Sequence, residues 1–241
     1  MNGVEYSGVH NIVYASSIAS LKTAVATGGA VVLASDITGV SELLKVEKDL
    51  VVDLNGHTLA FTPQSGYPGI KNTANFEVKD SKATGKITST QVGIQNNGTL
   101  VINCDVETYD YAINNVYNGK TTINGGSYKN TKTDGALIYT DGKGTGSPEL
   151  NINGGSFESA FTNVSYNNGS KGAVNGGTFN CTGPWHNIYV GGSEGGCVVT
   201  YDASKCSFTS NGVNIQVNDW GKGNTNTVNN QTYTTTQTLM D

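Results

Sequence analysis

The chain has 241 residues, of which 36% are hydrophobic, 14% are charged and 32 are glycine. Charge lies well below the roughly 25%, and glycine nearly twice the roughly 7%, of ordinary globular domains, which excludes a fold of long amphipathic helices. Net charge is −5 from 14 basic and 19 acidic residues, every basic residue is Lys, and a chain without Arg or a basic face is poorly suited to nucleic acid or phosphate. Asn, Thr, Ser, Gly and Val recur along most of the length and favour strands joined by tight turns, so the expectation is an all-β chain of one domain or two small ones.

Met1-Asn2-Gly3-Val4-Glu5 lacks a basic segment followed by an apolar one, so no secretory signal is expected, with the reservation that the chain is a piece of a larger exported protein. No apolar run approaches the ~18 residues of a membrane span, so no membrane insertion is expected. Residues 1–15 show no coil pattern and are read as an anchor segment. In residues 16–27, Ile18, Leu21, Ala24 and Val25 fall on one helical face, Ser16 or Ser17 caps the start, and Gly28-Gly29 stops it. Two apolar strand candidates follow, residues 30–34 and 50–59, the second broken by the Asn55-Gly56 turn.

From about residue 98 the chain repeats itself. Asn124-Gly125-Gly126-Ser127-Tyr128, Asn153-Gly154-Gly155-Ser156-Phe157 and Asn175-Gly176-Gly177-Thr178-Phe179 are three copies of one pentapeptide, each after a short β run, and Leu100-Val101-Ile102-Asn103-Cys104 is a degenerate copy. A second element recurs halfway round: Ile113 to Tyr117, Ala136 to Tyr139, Asn163 to Tyr166, Asn187 to Tyr189, and Asn214 to Val217 with Asp219-Trp220-Gly221. A period of about 21 residues, with insertions such as residues 142–148 let out as loops, is a solenoid signature. Neighbouring coils must then stack to bury a common core, with Ile102, Ile123, Ile152 and Val174 in one interior column and turn asparagines laddering from coil to coil.

These residues, from the helix through Asp53-Leu54-Asn55-Gly56-His57-Thr58-Leu59 to the Asn-Gly-Gly coils, resemble the right-handed parallel β-helix superfamily of pectate lyase-like enzymes, bacteriophage tailspikes and bacterial surface proteins. The resemblance spans residues 16 to about 220 and implies a single-stranded β-solenoid with a short N-terminal capping helix. The domain reading is an anchor over 1–15, the solenoid over 16–222 with helix 16–27 as its cap, and a Thr/Asn-rich tail over 223–241. For that tail a capping strand, a pairing arm and a mobile end all stay open.

The lyases of that superfamily commonly use Arg as base beside carboxylate-held calcium, and the hydrolases gather several aspartates. This chain has no Arg and no adjacent Asp pair. Asp105, Glu107 and Asp110 form the densest acidic group, with Asp105 and Glu107 on one strand face, and solvated surface acids are the better reading. His57 reads as a turn residue, His186 as structural beside a bulky loop, and His10 carries no signal. Asp141 to Gly146 reads as a flexible loop, because it lacks calcium-loop ligands and a phosphate-loop ending. Cys104, Cys181, Cys197 and Cys206 have no zinc spacing; they are expected as free thiols, with Cys181–Cys206 as the one pair that stacking would allow. No cofactor and no metal are expected.

Tyr117, Tyr139, Tyr166 and Tyr189 recur once per coil, and strand alternation predicts an outward row, with Trp185 in the neighbouring loop. Such a row either stacks on itself to stabilise the solenoid or binds sugar rings or a partner. The functional expectation is a non-enzymatic structural protein of a bacteriophage virion: a head fibre, capsid decoration or tailspike-like protein. It would be made in the host cytoplasm and contact other virion proteins, with the homo-oligomers and trimers of the resembling family and host-surface polysaccharide as partners. The alternative is a polysaccharide-active enzyme or a carbohydrate-binding bacterial surface module.

Overall fold

The computed structural model describes residues 12–240. Strands account for 53% of the described residues and helix for 4%, so the fold is all-β. Three parallel sheets run the length of the molecule, and each strand's neighbours come from the preceding and following coils, giving a stacked-coil solenoid of about eight turns. The first sheet has eleven strands, from Ile12–Ala15 to Gln231–Tyr233; the second has eight, from Ile37–Val40 to Cys206–Ser210; the third has nine, from Leu44–Val46 to Gln237–Met240. Coils begin at Gly29, so the legible repeat after residue 98 is the later part of a longer stack.

Val78, Ile102, Ile123, Ile152 and Val174 align in register across five strands of the first sheet, and all are buried. This is the interior column expected from the repeat. The pentapeptide works position by position. Its asparagines ladder outside, Asn153 Nδ2 donating to Asn124 Oδ1 at 2.9 Å and Asn175 Nδ2 to Asn153 Oδ1 at 3.0 Å. The second glycine turns the corner into the second sheet with φ of 95° at Gly126, 114° at Gly155 and 131° at Gly177. A Cβ there is strained, and at Gly126 it would press on the Cys104 carbonyl oxygen. The aromatic closes the core: Tyr128, Phe157, Phe179 and Phe208 stack in sequence with centroids 5.1, 4.8 and 5.3 Å apart.

A second asparagine ladder lies inside. Asn72 Nδ2 donates to Asn96 Oδ1 at 2.8 Å, and Asn96 Nδ2 donates to Asn115 Oδ1 at 2.9 Å, all three side chains being buried at the turn out of the third sheet. Their remaining capacity is spent on turn backbone: Asn96 Oδ1 accepts from the Gly98 N–H and Nδ2 reaches the Gly98 and Lys120 carbonyls. The amides thus satisfy backbone groups that the turn leaves without a ladder partner.

Helix Ile18–Thr27 lies over the opening at the N-terminal end. Ser17 and Ser20 form a reciprocal cap, Gly28 ends the helix at φ 77°, and Leu21, Ala24 and Val25 are buried. At the other end, Asn226–Val228 pairs in parallel with Val198–Tyr201, and two reversed strands then close the stack: Gln231–Tyr233 on the first sheet and Gln237–Met240 on the third. Antiparallel closure ends the parallel templates of those two sheets.

Two expectations need correction. Ile12–Ala15 is not part of a separate anchor: it pairs with Ala30–Leu33 as the first strand of the solenoid, and residues 1–11 of the anchor reading, with His10, lie outside the described residues. Cys181 stacks on Ser210 and Cys206 on Gly177, so the two cysteines are in different columns, and all four cysteines are free.

Candidate functional site

The third sheet is flanked by connections whose length changes along the stack. The approach from the second sheet is short at residues 90–91, widens to 109–112, 131–137, 160–163 and 182–185, and is short again at 211–212. Connections leaving the third sheet widen at 142–148, 192–197 and 218–225. A cleft of about 710 Å³ opens over the outer face of the sheet, lined by residues of the four widened approach connections and, on the far side, by Asn218 and Trp220, within the usual range of ligand sites.

Its floor is one column of outward positions, Tyr139, Ser165, Tyr189 and Gln216, held in register on four consecutive coils. At roughly 4.8 Å per strand the column is about 14 Å long. On the approach side Tyr111 stacks on Tyr139 with centroids 5.0 Å apart, and Trp185 packs against Phe161 at 4.5 Å. On the far side Trp220 donates its indole N–H to the Tyr189 hydroxyl at 2.6 Å. Trp185 remains 42% and Trp220 56% exposed, so both residues keep substantial surface in solvent.

The expected outward tyrosine row breaks up by strand parity. Tyr139 and Tyr189 directly follow the inward residues Ile138 and Ile188 and point out. Tyr166 comes two residues after inward Val164, aligns with Thr140 and Val190, and is buried, its hydroxyl donating to the Leu150 carbonyl at 3.0 Å. Tyr117 falls past the strand Ile113–Val116 on a turn at φ 58°, outside the cleft. Tyr166 is therefore a core residue, and the row reduces to Tyr139 and Tyr189 with Trp185 beside them. Tyr111 and Phe161 are not among the sequence candidates, and Gln216 and Trp220 enter only as part of a repeat. Their signal was the lengthening of connections coil by coil.

Electrostatically the cleft is quiet. Burial raises the pKa of the Tyr111, Tyr139 and Tyr189 hydroxyls, and Tyr139 also donates to Asp141 Oδ2 at 2.6 Å, so all three stay protonated at neutral pH. Burial pushes the Asp141 carboxyl up, but hydrogen bonds from Tyr139, the Lys143 N–H and Asn168, with the Lys143 charge, outweigh it and leave the pKa lowered. Asp141 thereby fastens the start of the 142–148 connection, in place of the flexible loop expected there. Burial lowers the His186 pKa, more than hydrogen bonding of the ring N–H to Gln216 raises it, so the ring is neutral at neutral pH. The one charged side chain in the lining is Asp134, exposed and 3.6 Å from Lys132, which also pairs with Asp110 at 2.9 Å.

Because the unfolded chain binds a proton on His186 more readily than the folded one does, stability is expected to decline as pH falls below about 6.5. An imidazole NMR titration should place the His186 midpoint below that of a free histidine; a midpoint at or above it would contradict the burial described.

The other candidates are structurally engaged. Asp105 accepts from the Ser127 N–H at 2.8 Å, Glu107 pairs with Lys86 at 2.8 Å, and His57 Nδ1 lies 3.3 Å from Asp36 Oδ1 on its turn. Among the described residues no group of three or more His, Cys, Asp or Glu side chains is placed to hold a metal ion, and no helix is long and apolar enough to cross a membrane. No family model, no curated protein and no solved structure matches the chain.

Proposed function

We propose that the chain is a non-enzymatic, carbohydrate-gripping solenoid that serves on the surface of a bacteriophage particle, as a head fibre, capsid decoration or tailspike-like protein. The observation that carries the carbohydrate reading is the aromatic cleft: two partly exposed tryptophans and two pinned tyrosines line it over one sheet, and aromatic rings so placed can stack against the C–H faces of sugar rings. Ser165 between the two tyrosines and Gln216 at the end of the column offer a hydroxyl and an amide for hydrogen bonding to sugar hydroxyls. The non-catalytic reading is supported by the charged groups of the lining: Asp134 is its one carboxylate, exposed and paired with Lys132, with no second carboxylate beside it for acid–base work on a glycosidic bond. The virion setting rests on the likeness of the Asn-Gly-Gly coils to the right-handed β-helices of tailspikes.

On a glycan array the protein should bind selected bacterial surface saccharides. Trp185→Ala combined with Trp220→Ala should weaken that binding at least about tenfold, roughly 1.4 kcal/mol, while the melting temperature stays near that of the wild type. Undiminished binding by the double variant would remove the cleft from the account. Release of unsaturated or reducing-end products from a bound saccharide would replace the non-enzymatic reading with an enzymatic one, and absence of the chain from purified particles by mass spectrometry would overturn the virion setting.

A further inference from the structure

We infer that the cleft selects an uncharged, extended oligosaccharide lying along the solenoid axis, about three sugar rings filling the floor column; this rests on the carbohydrate reading above. Direction follows from the register. Tyr139, Ser165, Tyr189 and Gln216 occupy one column parallel to the axis, with residues of the approach connections along one side and Asn218 with Trp220 on the other, so the long direction of the cleft runs along the stack. Tyr139 and Tyr189 are two coils apart, roughly 9.6 Å at the usual strand spacing, with the small Ser165 between them. That alternation of ring, gap and ring, ended by the Gln216 amide, suits successive pyranose units better than a single bound ring.

Selection against charge follows from the lining. An anionic sugar would bring a carboxylate or sulfate into a half-enclosed aromatic site that offers no cation to receive it, and an unpaired charge there loses its hydration without return. Two ammonium groups beside the cleft are already engaged: Lys132 is held between Asp110 and Asp134, and Lys143 is drawn to Asp141 at 3.5 Å, lying 5.5 Å from the Tyr139 ring centre and outside the lining. Asp134 adds a negative charge at the rim, a further term against anions. A simple cation would meet the same Asp134 and the aromatic faces, but a single ammonium group leaves most of the 710 Å³ and the length of the column unused.

Isothermal titration of the full chain tests this with cello-, laminari-, malto- and N-acetylglucosamine oligomers of graded length, with oligogalacturonates of the same lengths, and with choline chloride. In whichever neutral series binds, affinity should rise about tenfold or more from one to three rings and then level off, and it should change little with added salt; galacturonates should bind at least about tenfold more weakly. Equal or tighter binding of galacturonates, or a steep salt dependence, overturns the uncharged selection while leaving the carbohydrate reading standing. A flat dependence on length overturns the axial placement in the same way. Binding of choline with no saccharide binding, or no binding in any series, overturns the carbohydrate reading itself.

Discussion

Ile123→Asp is expected to abolish the cooperative thermal transition of the chain. Ile123 is fully buried between Ile102 and Ile152 in the interior column, with no polar group in that column to receive a carboxylate. An uncompensated charge in such a core costs several kcal/mol even after the group responds by holding its proton, against a total stability of about 5–15 kcal/mol for a folded domain. Because the column is continuous, the defect also removes the support of coils above and below it. Ile123→Val, which keeps the site apolar, should cost only about 0.5–1.5 kcal/mol. Circular dichroism melts of the two variants check this; a wild-type transition in Ile123→Asp would mean that the column is open to water.

The two asparagine ladders should respond very differently to the same substitution. Asn96→Ala strips the Gly98 N–H of its acceptor and breaks the buried links to Asn72 and Asn115. At about 1–3 kcal/mol for each buried group left unpaired, a loss near 3 kcal/mol is expected. For a chain of this size that lowers the melting temperature by roughly 6–12 °C. Asn153→Ala removes two inter-coil amide contacts from the outer ladder, where water replaces them, and should stay within about 0.5 kcal/mol of the wild type. Equal effects of the two substitutions would show that burial does not decide the value of the ladder.

The later coils were legible because their corner needs glycine at positive φ and their core needs an aromatic, so Asn-Gly-Gly-Ser/Thr-Tyr/Phe is close to the minimal solution and recurs. The earlier coils turn the same corners with other chemistry, Asp53 accepting from the Asn55 and Ser81 N–H groups and Asp80 from Gly56 and Gly85. That leaves no repeating word to find. Side-chain direction was the weak point at the site. Spacing by motif put Tyr166 in line with Tyr139 and Tyr189, but the strand Val164–Asn167 sets the tyrosine at the opposite parity, and a shift of one residue turns a cleft side chain into a core one. The walls were invisible for a different reason. They arise from unequal connections on successive coils, so residues as distant as Tyr111 and Trp220 meet only when the stack is built.

Both tryptophans of the chain, Trp185 and Trp220, line the cleft, and both are substantially exposed. Indole emission therefore reports on this cleft with no other source. Titrating the unaltered protein with a saccharide whose binding has been established by calorimetry should shift the emission to shorter wavelength along a saturating curve, with the same affinity, as sugar rings displace water from the two indole faces. Calorimetric binding with no change in tryptophan emission would place the saccharide elsewhere and contradict the account.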